Sequence, residues 1–316
     1  MTTKVVYVTG CLGFIGRYVT KACLDRGWQV LGVDSETYAA DVEYLEKLKK
    51  YTNFKYLKKD INDINWLYDC DYIINTAAET HVDNSIVNGT GFIKSNIDGV
   101  HNLLRTIQTK SRFKMPTLLH FSTDEVYGDI VDGSHTEMDL LKPSNPYSAT
   151  KASADMLIMA WARTYNIPYV IIRPSNNYGV GQYVEKFIPK ACKYLSLGRP
   201  VPIHEHGLPR RTWLHVKDTA DAVLFLIDKD VKNEIFNISG NYEDSNLNVF
   251  KKILRTAKLD PDKYDDYVDF SVQRPGQDVR YAIDDTKLKA LGWSCQADFD
   301  TELSKIVEYY KENFVW

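Results

Sequence analysis

Short apolar runs alternate with longer stretches of helical period through the first half of the chain. The apolar runs fall at residues 5–9, 29–34, 72–75, 118–122 and 169–173. Between them, residues 13–27, 41–51, 92–108 and 147–165 space their apolar positions as helices do. Strands alternating with helices predict a parallel sheet covered on both faces. Strands buried on both sides read as unbroken apolar runs, and Tyr169-Val170-Ile171-Ile172 does. After Arg173-Pro174 the pattern loosens, with Gly, Pro and Asn gathering at residues 176–181 and 198–209. One more helix is expected at 220–226 and one more strand at 235–238. The predicted fold class is α/β: a doubly wound parallel sheet with a smaller, partly interleaved C-terminal domain. The expected division gives residues 1–173, with about 212–240, to the sheet. Residues 174–211 and 241–316 form the second body.

Bulk properties set limits. The chain has 316 residues, enough for about two domain-sized units. Apolar residues make up 44% and charged residues 26%, an ordinary globular balance. A net charge of −3 supplies no overall basic field, so neither nucleic acid nor an anionic membrane is an expected partner. The five cysteines, Cys11, Cys23, Cys70, Cys192 and Cys295, are odd in number and widely spaced. They are expected as reduced thiols rather than a disulfide framework or zinc ribbon. Met1-Thr2-Thr3 leads straight into an apolar strand, so no signal peptide is expected, and no apolar run is long enough to span a bilayer. A cytoplasmic location follows as an expectation.

The first candidate chemistry lies where the first strand hands over to the first helix. Thr9-Gly10-Cys11-Leu12-Gly13-Phe14-Ile15-Gly16 places glycines at 10, 13 and 16. They suit a tight turn, close approach of backbone to a pyrophosphate, and close helix–strand packing. The helix N-terminus then offers free N–H groups to the anion. Asp34 ends the second strand, where a carboxylate can bind ribose hydroxyls and would repel a 2′-phosphate, which favours NAD over NADP. This is a Rossmann arrangement. Asp60-Ile61 is an expected adenine contact, although Asp60 also fits a helix cap.

The second candidate is a pair of motifs. Tyr147 and Lys151 stand at i and i+4 on a predicted helix, so they share one face. A phenol is a poor base at neutral pH, and an adjacent ammonium stabilises its phenolate. Tyr147 can then take a proton from a substrate hydroxyl. Ser122-Thr123-Asp124-Glu125 follows an apolar strand, at the carboxyl end where ligands bind in open α/β sheets. Two adjacent carboxyl groups whose environments separate their pKa values can serve as acid and base. Taken alone, the tyrosine–lysine pair also reads as surface side chains, and the acidic pair as a solvated loop or cap.

Together these segments identify a resemblance. The chain resembles the extended short-chain dehydrogenase/reductase family and, within it, the dTDP/UDP-glucose 4,6-dehydratases. The resemblance spans nearly the whole chain: TGCLGFIG (9–16), VDSETYAAD (33–41), NTAAETHVDNSI (75–86), STDEVYGD (122–129), YSATK (147–151), RPSNNYG (173–179), EKFIP (185–189), RPGQDVRYAID (274–284) and LGW (291–293). The Thr-Asp-Glu triplet is its specific part. The resemblance implies a hydro-lyase of deoxysugar biosynthesis that converts a UDP- or dTDP-linked hexose to the 4-keto-6-deoxy sugar. Tyr147 deprotonates the C4 hydroxyl, assisted by Thr123 and Lys151, and hydride passes to tightly bound NAD. Glu125 removes the C5 proton, Asp124 protonates the departing C6 hydroxyl, and hydride returns to C6. The resemblance also implies cofactor contacts from Gly10, Gly13, Phe14, Ile15, Gly16, Asp34, Asp60, Ile61, Ala77, Ala78, Tyr147, Lys151 and Asn177. Substrate contacts are implied for Thr80, Asn176, Lys186, Phe187, Arg211, Asn246 and Arg274.

Four departures from the family pattern stand out: Cys11-Leu12, Tyr38-Ala39-Ala40, Tyr183-Val184 and Gln277. The last two fall near the implied sugar-nucleotide pocket, so UDP-glucose, dTDP-glucose and UDP-N-acetylglucosamine all stay open, as does epimerisation at C5. A 4-epimerase on the same fold is the first alternative, and Asp124-Glu125 argues against it. A non-catalytic NAD-sensing regulator is the second, and the catalytic trio argues against it. His204-Glu205-His206 lacks a third ligand, so no metal is expected. The family pairs through helices, which predicts a homodimer using 92–108 and 147–165, where Ile97, Leu104, Met156 and Trp161 lie.

Overall fold

In the computed structural model, which describes residues 3–110 and 115–313, every one of the five apolar runs is a strand of one parallel sheet. The strands are β1 (Val5–Thr9), β2 (Gln29–Asp34), β3 (Phe54–Lys58), β4 (Tyr72–Asn75), β5 (Thr117–Phe121) and β6 (Tyr169–Pro174). Three short strands follow: β7 (Asn176–Tyr178), β8 (Val201–Pro202) and β9 (Arg210–His215). Then come β10 (Glu234–Ile238), β11 (Tyr242–Ser245) and β12 (Val268–Asp269). The large sheet runs β3-β2-β1-β4-β5-β6-β10. Chain direction across it reverses between β1 and β4, and the crevice for a ligand opens at the carboxyl ends of these strands.

Alternation within each strand sends side chains to two covering layers. Val6 and Val8 of β1 join Val30, Leu119 and Ile172 under the helices Phe14–Asp25 and Val216–Asp228. Tyr7 joins Ile73, Leu118 and Ile171 under Gly99–Lys110 and Pro146–Tyr165. A third apolar cluster lies away from the sheet. Ile188, Trp213, Phe250, Ile253, Phe299 and Ile306 build it, around the small sheet β11-β9-β7. Leu288 and Trp293, although late in the chain, pack into the first cluster rather than the third.

The sequence pattern missed β3. It is an edge strand carrying Lys55 and Lys58, half-exposed along its length, so it lacks the apolar run of a central strand. The helix expected at 41–51 is only Tyr44–Leu48. The stretch 92–108 is not one uniform helix: Ile93–Asp98 is a π-turn that passes into Gly99–Lys110. Such wide turns gather at functional sites, and here Lys94 and Ser95 face the ligand crevice. The helices Asn246–Thr256 and Phe299–Tyr309, which build the third cluster, were also not anticipated.

The start of the chain shows why the glycines are needed. A Cβ on Gly16 would lie 1.9 Å from the Gly10 carbonyl oxygen, and Gly10 has φ +71 with Ala77 backbone packed against it. No side chain fits either position, so the first helix lies hard against the loop. Among the described residues no helix is long and apolar enough to cross a membrane.

Candidate active site

A cleft of about 450 Å³ runs along the carboxyl edge of β1, β4 and β5. Its floor at one end is the glycine loop. Gly10 N–H and Cys11 N–H donate to the Val33 carbonyl, and Leu12 N–H donates to Asp34 Oδ2 at 2.9 Å. Asp34 therefore pins the loop to β2 while its other oxygen accepts from Glu36 N–H at 2.8 Å. Gly10, Gly13, Phe14, Ile15, Gly16, Asp34, Asp60, Ile61, Ala77, Ala78 and Asn177 all line the cleft. Asp60 is indeed a cap, accepting from Asn62 N–H at 2.8 Å, and also a wall of the cleft. Asn176 also faces the cleft, and its side-chain oxygen is buried without a partner. A glycine cradle closed to any Cβ, a carboxylate at the end of β2 and an unpartnered polar atom fit a dinucleotide.

The other end carries the acids and the phenol. Thr123 ends the extended run of β5, and the chain coils tightly through Asp124–Tyr127. Thr123 Oγ1 accepts from Glu125 N–H at 3.3 Å and donates to Asp124 Oδ1 at 3.1 Å. This turn presents both carboxyls to the cleft. Opposite stands the helix Pro146–Tyr165. Asn145 caps it, accepting from Ser148 N–H at 2.9 Å, while Pro146 occupies the first turn, where its missing N–H costs nothing. That cap places Tyr147 in the first turn, facing the cleft, and Lys151 one turn below it, buried out of the cleft wall. Asn145 Nδ2 also donates to Glu125 Oε2 at 3.2 Å. The Thr123 hydroxyl also lies beside the Tyr147 phenol. One polar set thus joins Tyr147, Thr123, Asp124, Glu125 and Asn145.

Burial separates the behaviour of these groups. Asp124 is pushed up to about 7, by desolvation first and then by the Glu125 charge. Its Oδ2 has no hydrogen-bond partner among the described residues. Glu125 is also raised by burial, and the Asn145 amide and the Arg211 charge oppose that rise. Desolvation, with the two carboxylates adding to it, pushes the Tyr147 phenol above its ordinary range, so these neighbours disfavour a phenolate. Lys151 is pushed down to about 8 by burial, with Asp155 opposing. A group held near neutrality is suited to giving or taking a proton at working pH.

The implied substrate residues divide. Thr80, Asn176 and Lys186 line the cleft, and Lys186 Nζ donates to the Thr80 carbonyl at 2.9 Å. Phe187, Arg211, Asn246 and Arg274 do not reach its wall. Phe187 packs toward Trp213, with ring centroids 6.3 Å apart. Arg211 is buried over the Tyr281 ring at 4.2 Å and donates to the Asp278 carbonyl. Arg274 is engaged by Asp83 in a two-pronged ion pair at 2.5 and 3.1 Å. Asn246 opens a helix, its N–H donating to the Pro209 carbonyl. His204 meets the Val272 carbonyl and His206 lies against Phe270. Sequence reasoning missed Asn145 and Tyr281, whose hydroxyl reaches Glu125 at 3.4 Å. Asn-Pro-Tyr-Ser carries a legible helix-start signal, so Asn145 could have been found; nothing local marks Tyr281.

Comparison with known proteins places this architecture. Residues 7–306 match the model of the GDP-mannose 4,6 dehydratase family. The chain belongs to that family. Family relatives include a probable dTDP-glucose 4,6-dehydratase of Sinorhizobium fredii, 39% identical, covering 98% of this chain and 94% of its own. A trifunctional enzyme of Arabidopsis thaliana, which includes a UDP-glucose 4,6-dehydratase, is 37% identical over 99% of this chain and 48% of its own. Among solved structures, the dTDP-glucose 4,6-dehydratase DesIV of Streptomyces venezuelae, with NAD bound, superposes with TM-score 0.92 at 32% identity, covering 98% and 97% of the two chains. A UDP-glucuronic acid 4-epimerase of Bacillus cereus shares the fold, with TM-score 0.90 at 23% identity over 98% and 99%.

The raised carboxyl of Asp124 has a stability consequence. Its pKa goes from 3.8 to about 7, so the folded chain holds this proton more firmly than the unfolded chain does. The contribution favours folding at low pH and is lost as pH rises from about 4 through about 7. Asp124→Asn should therefore gain stability over the parent above pH 7, by on the order of 4 kcal/mol, with the gap closing toward pH 4. Denaturant titrations at the two pH values measure it.

Proposed function

We propose that the chain is an NAD-dependent 4,6-dehydratase of a pyrimidine-nucleotide-linked glucose, with UDP-glucose and dTDP-glucose as its substrates. The observation that carries this reading is the buried Asp124, raised to about 7, next to Glu125 and bonded to the Thr123 hydroxyl that lies beside Tyr147. A 4-epimerase needs one acid–base group at C4. Two further carboxyls, both raised by burial, are what proton removal and proton delivery at adjacent carbons require.

Gly10, Gly13, Phe14, Ile15, Gly16, Asp34, Asp60, Ile61, Ala77, Ala78 and Asn177 hold the dinucleotide. Tyr147 and Lys151 lie beside its reactive end. Bound NAD supplies a hydride acceptor at C4 and a hydride donor at C6, and ends each turnover as it began. Tyr147, as the phenolate that the Lys151 charge stabilises, takes the C4 hydroxyl proton, with Thr123 on the same oxygen. The ketone at C4 then makes the C5 hydrogen acidic, and Glu125 removes it. Asp124, protonated, hands its proton to the C6 hydroxyl, which leaves as water. Glu125 returns its proton to C5.

Thr80, Asn176 and Lys186 bind the sugar and diphosphate from the cleft side. Arg211, Asn246, Phe187 and Arg274 serve the nucleotide end, with Arg274 released from Asp83 as it takes a phosphate. The sheet carries the cofactor and the third apolar cluster carries the nucleotide sugar. The enzyme acts in the cytoplasm. It pairs with a second copy through the exposed sides of Ile93 and Met156, which are 51% and 53% accessible on the two family helices. Sedimentation should give the mass of two chains, and Met156→Asp should shift it toward one.

The acid pair is tested directly. Incubated with a panel of sugar nucleotides, the purified enzyme should remove one water from UDP-glucose or dTDP-glucose, read by mass. Asp124→Asn/Glu125→Gln should still oxidise C4, leaving the bound cofactor reduced, while product forms at least about 100-fold more slowly. Tyr147→Phe should not reduce the cofactor at all. Rapid product release by the double variant would refute both carboxyl roles.

A further inference from the structure

A row of polar side chains crosses the middle of the parallel sheet beneath the catalytic helix. Thr9, Asn75 and His120 are register partners on β1, β4 and β5, so all three point to the face that Pro146–Tyr165 covers. Thr9 Oγ1 donates to Asn75 Oδ1 at 2.6 Å. Asn75 Nδ2 stands 3.0 Å from His120 Nδ1, and Lys151 Nζ stands 3.5 Å from His120 Nε2. All four side chains are buried, His120 and Thr9 at 0% exposure. A polar file through this layer costs stability unless each member is satisfied. The mechanism above uses Lys151 and gives no work to the other three.

The charges around Lys151 are few. Its own helix brings Tyr147 one turn above and Asp155 one turn below. Asp155 is held by Arg173 of β6 and by Ser122, each at 3.0 Å. The neighbouring π-turn brings Asn96, neutral and bound to Thr150. β5 brings His120.

Neutral imidazole has one N–H and one lone pair. Against an ammonium, Nε2 must carry the lone pair, so the Asn75 amide turns over from the placement above: Nδ1–H donates to the Asn75 oxygen and the Asn75 nitrogen donates to Thr9. Against a neutral amine the pattern reverses: Nε2–H donates to Lys151, Nδ1 accepts from the Asn75 amide, and Thr9 donates to the Asn75 oxygen. The row has one complete hydrogen-bond pattern for each charge state of Lys151. Burial and the Lys151 charge hold His120 far below its ordinary pKa, so it adds no second positive charge.

We infer that His120 is a positioning residue for Lys151: a neutral acceptor, oriented by Asn75 and Thr9, that holds the ammonium beside Tyr147 and keeps it charged against the desolvation of its pocket. The inference rests on reading Tyr147 and Lys151 as the catalytic couple. A carboxylate at this position would cancel the charge that the phenolate needs, and an apolar residue would leave the ammonium without an acceptor.

The test is the pH profile of kcat/KM for the holoenzyme and three variants. Activity falls on the alkaline side as Lys151 loses its proton. In His120→Leu that limb should move down by about 1 pH unit, a loss of about tenfold at pH values along it. In His120→Gln, whose side-chain oxygen restores an acceptor, the limb should return toward the parent position. Bound NAD content and thermal midpoint establish that the variants are folded. A uniform drop across the profile, with the limb unmoved, overturns the positioning role. Lys151→Met separates the two levels: turnover at the parent rate would remove the catalytic couple itself, whereas its collapse with an unmoved His120→Leu limb removes only the present inference. Should the leucine variant not fold, ¹⁵N-histidine spectra of the parent holoenzyme decide, with His120 assigned by its absence in His120→Gln. The ring should stay neutral from about pH 5 to about pH 9 and change tautomer along the alkaline limb. An imidazolium signal at about pH 6 overturns the proposal.

Discussion

Asn145 uses the two halves of its amide on two different elements. The oxygen accepts the Ser148 N–H and so fixes where the helix Pro146–Tyr165 begins. The nitrogen donates to Glu125, on the turn after β5. The first contact fixes the positions of Tyr147 and Lys151 along the helix, because i and i+4 positions follow from the start of a helix. The second ties one of the two acids to the same point. Phenol and amine share one helix and the carboxyls come from the turn after β5, and this one side chain joins the two segments.

The site is dry and charged, a costly combination. Asp124 and Lys151 are buried and Glu125 half-buried, and among the described residues no ion pair joins them to one another. Asp155 and Arg173 below them do pair, both nearly inaccessible. Isolated buried charges neutralise rather than persist, and the directions of the shifts agree: carboxyls up, lysine down. Asp124, raised to about 7, can hold or release a proton near neutrality. Burial lowers Lys151 and the Asp155 charge opposes that fall. Stability lost here is recovered in the apolar layers on the two faces of the sheet, where Val6, Ile74, Leu118 and Ile171 are fully buried.

Much of this was legible in the chain. Central strands announce themselves as apolar runs because both faces are covered, and β1, β2 and β4 ended where the runs ended. The glycine loop, Asp34 and the Thr-Asp-Glu turn were readable because chemistry confines each to one place on such a sheet. Edge strand β3 was not readable, since Lys55 and Lys58 face water and break the run. The third cluster was obscured because its helices return from distant parts of the chain to cover Trp213. Residues that act through tertiary contact, such as Tyr281 on Glu125 or His120 under Lys151, leave no local mark. Arg211, expected at the substrate, lies over the Tyr281 ring, close enough to the acids for its charge to lower both.

The central claim is that one cofactor molecule carries hydrogen from C4 to C6 of the same sugar with water loss in between. Substrate bearing deuterium at C4 tests it. The account predicts 4-keto-6-deoxy product that retains the label, now on C6, with none lost to solvent. Product in which the deuterium has washed out or remains on C4 would contradict it.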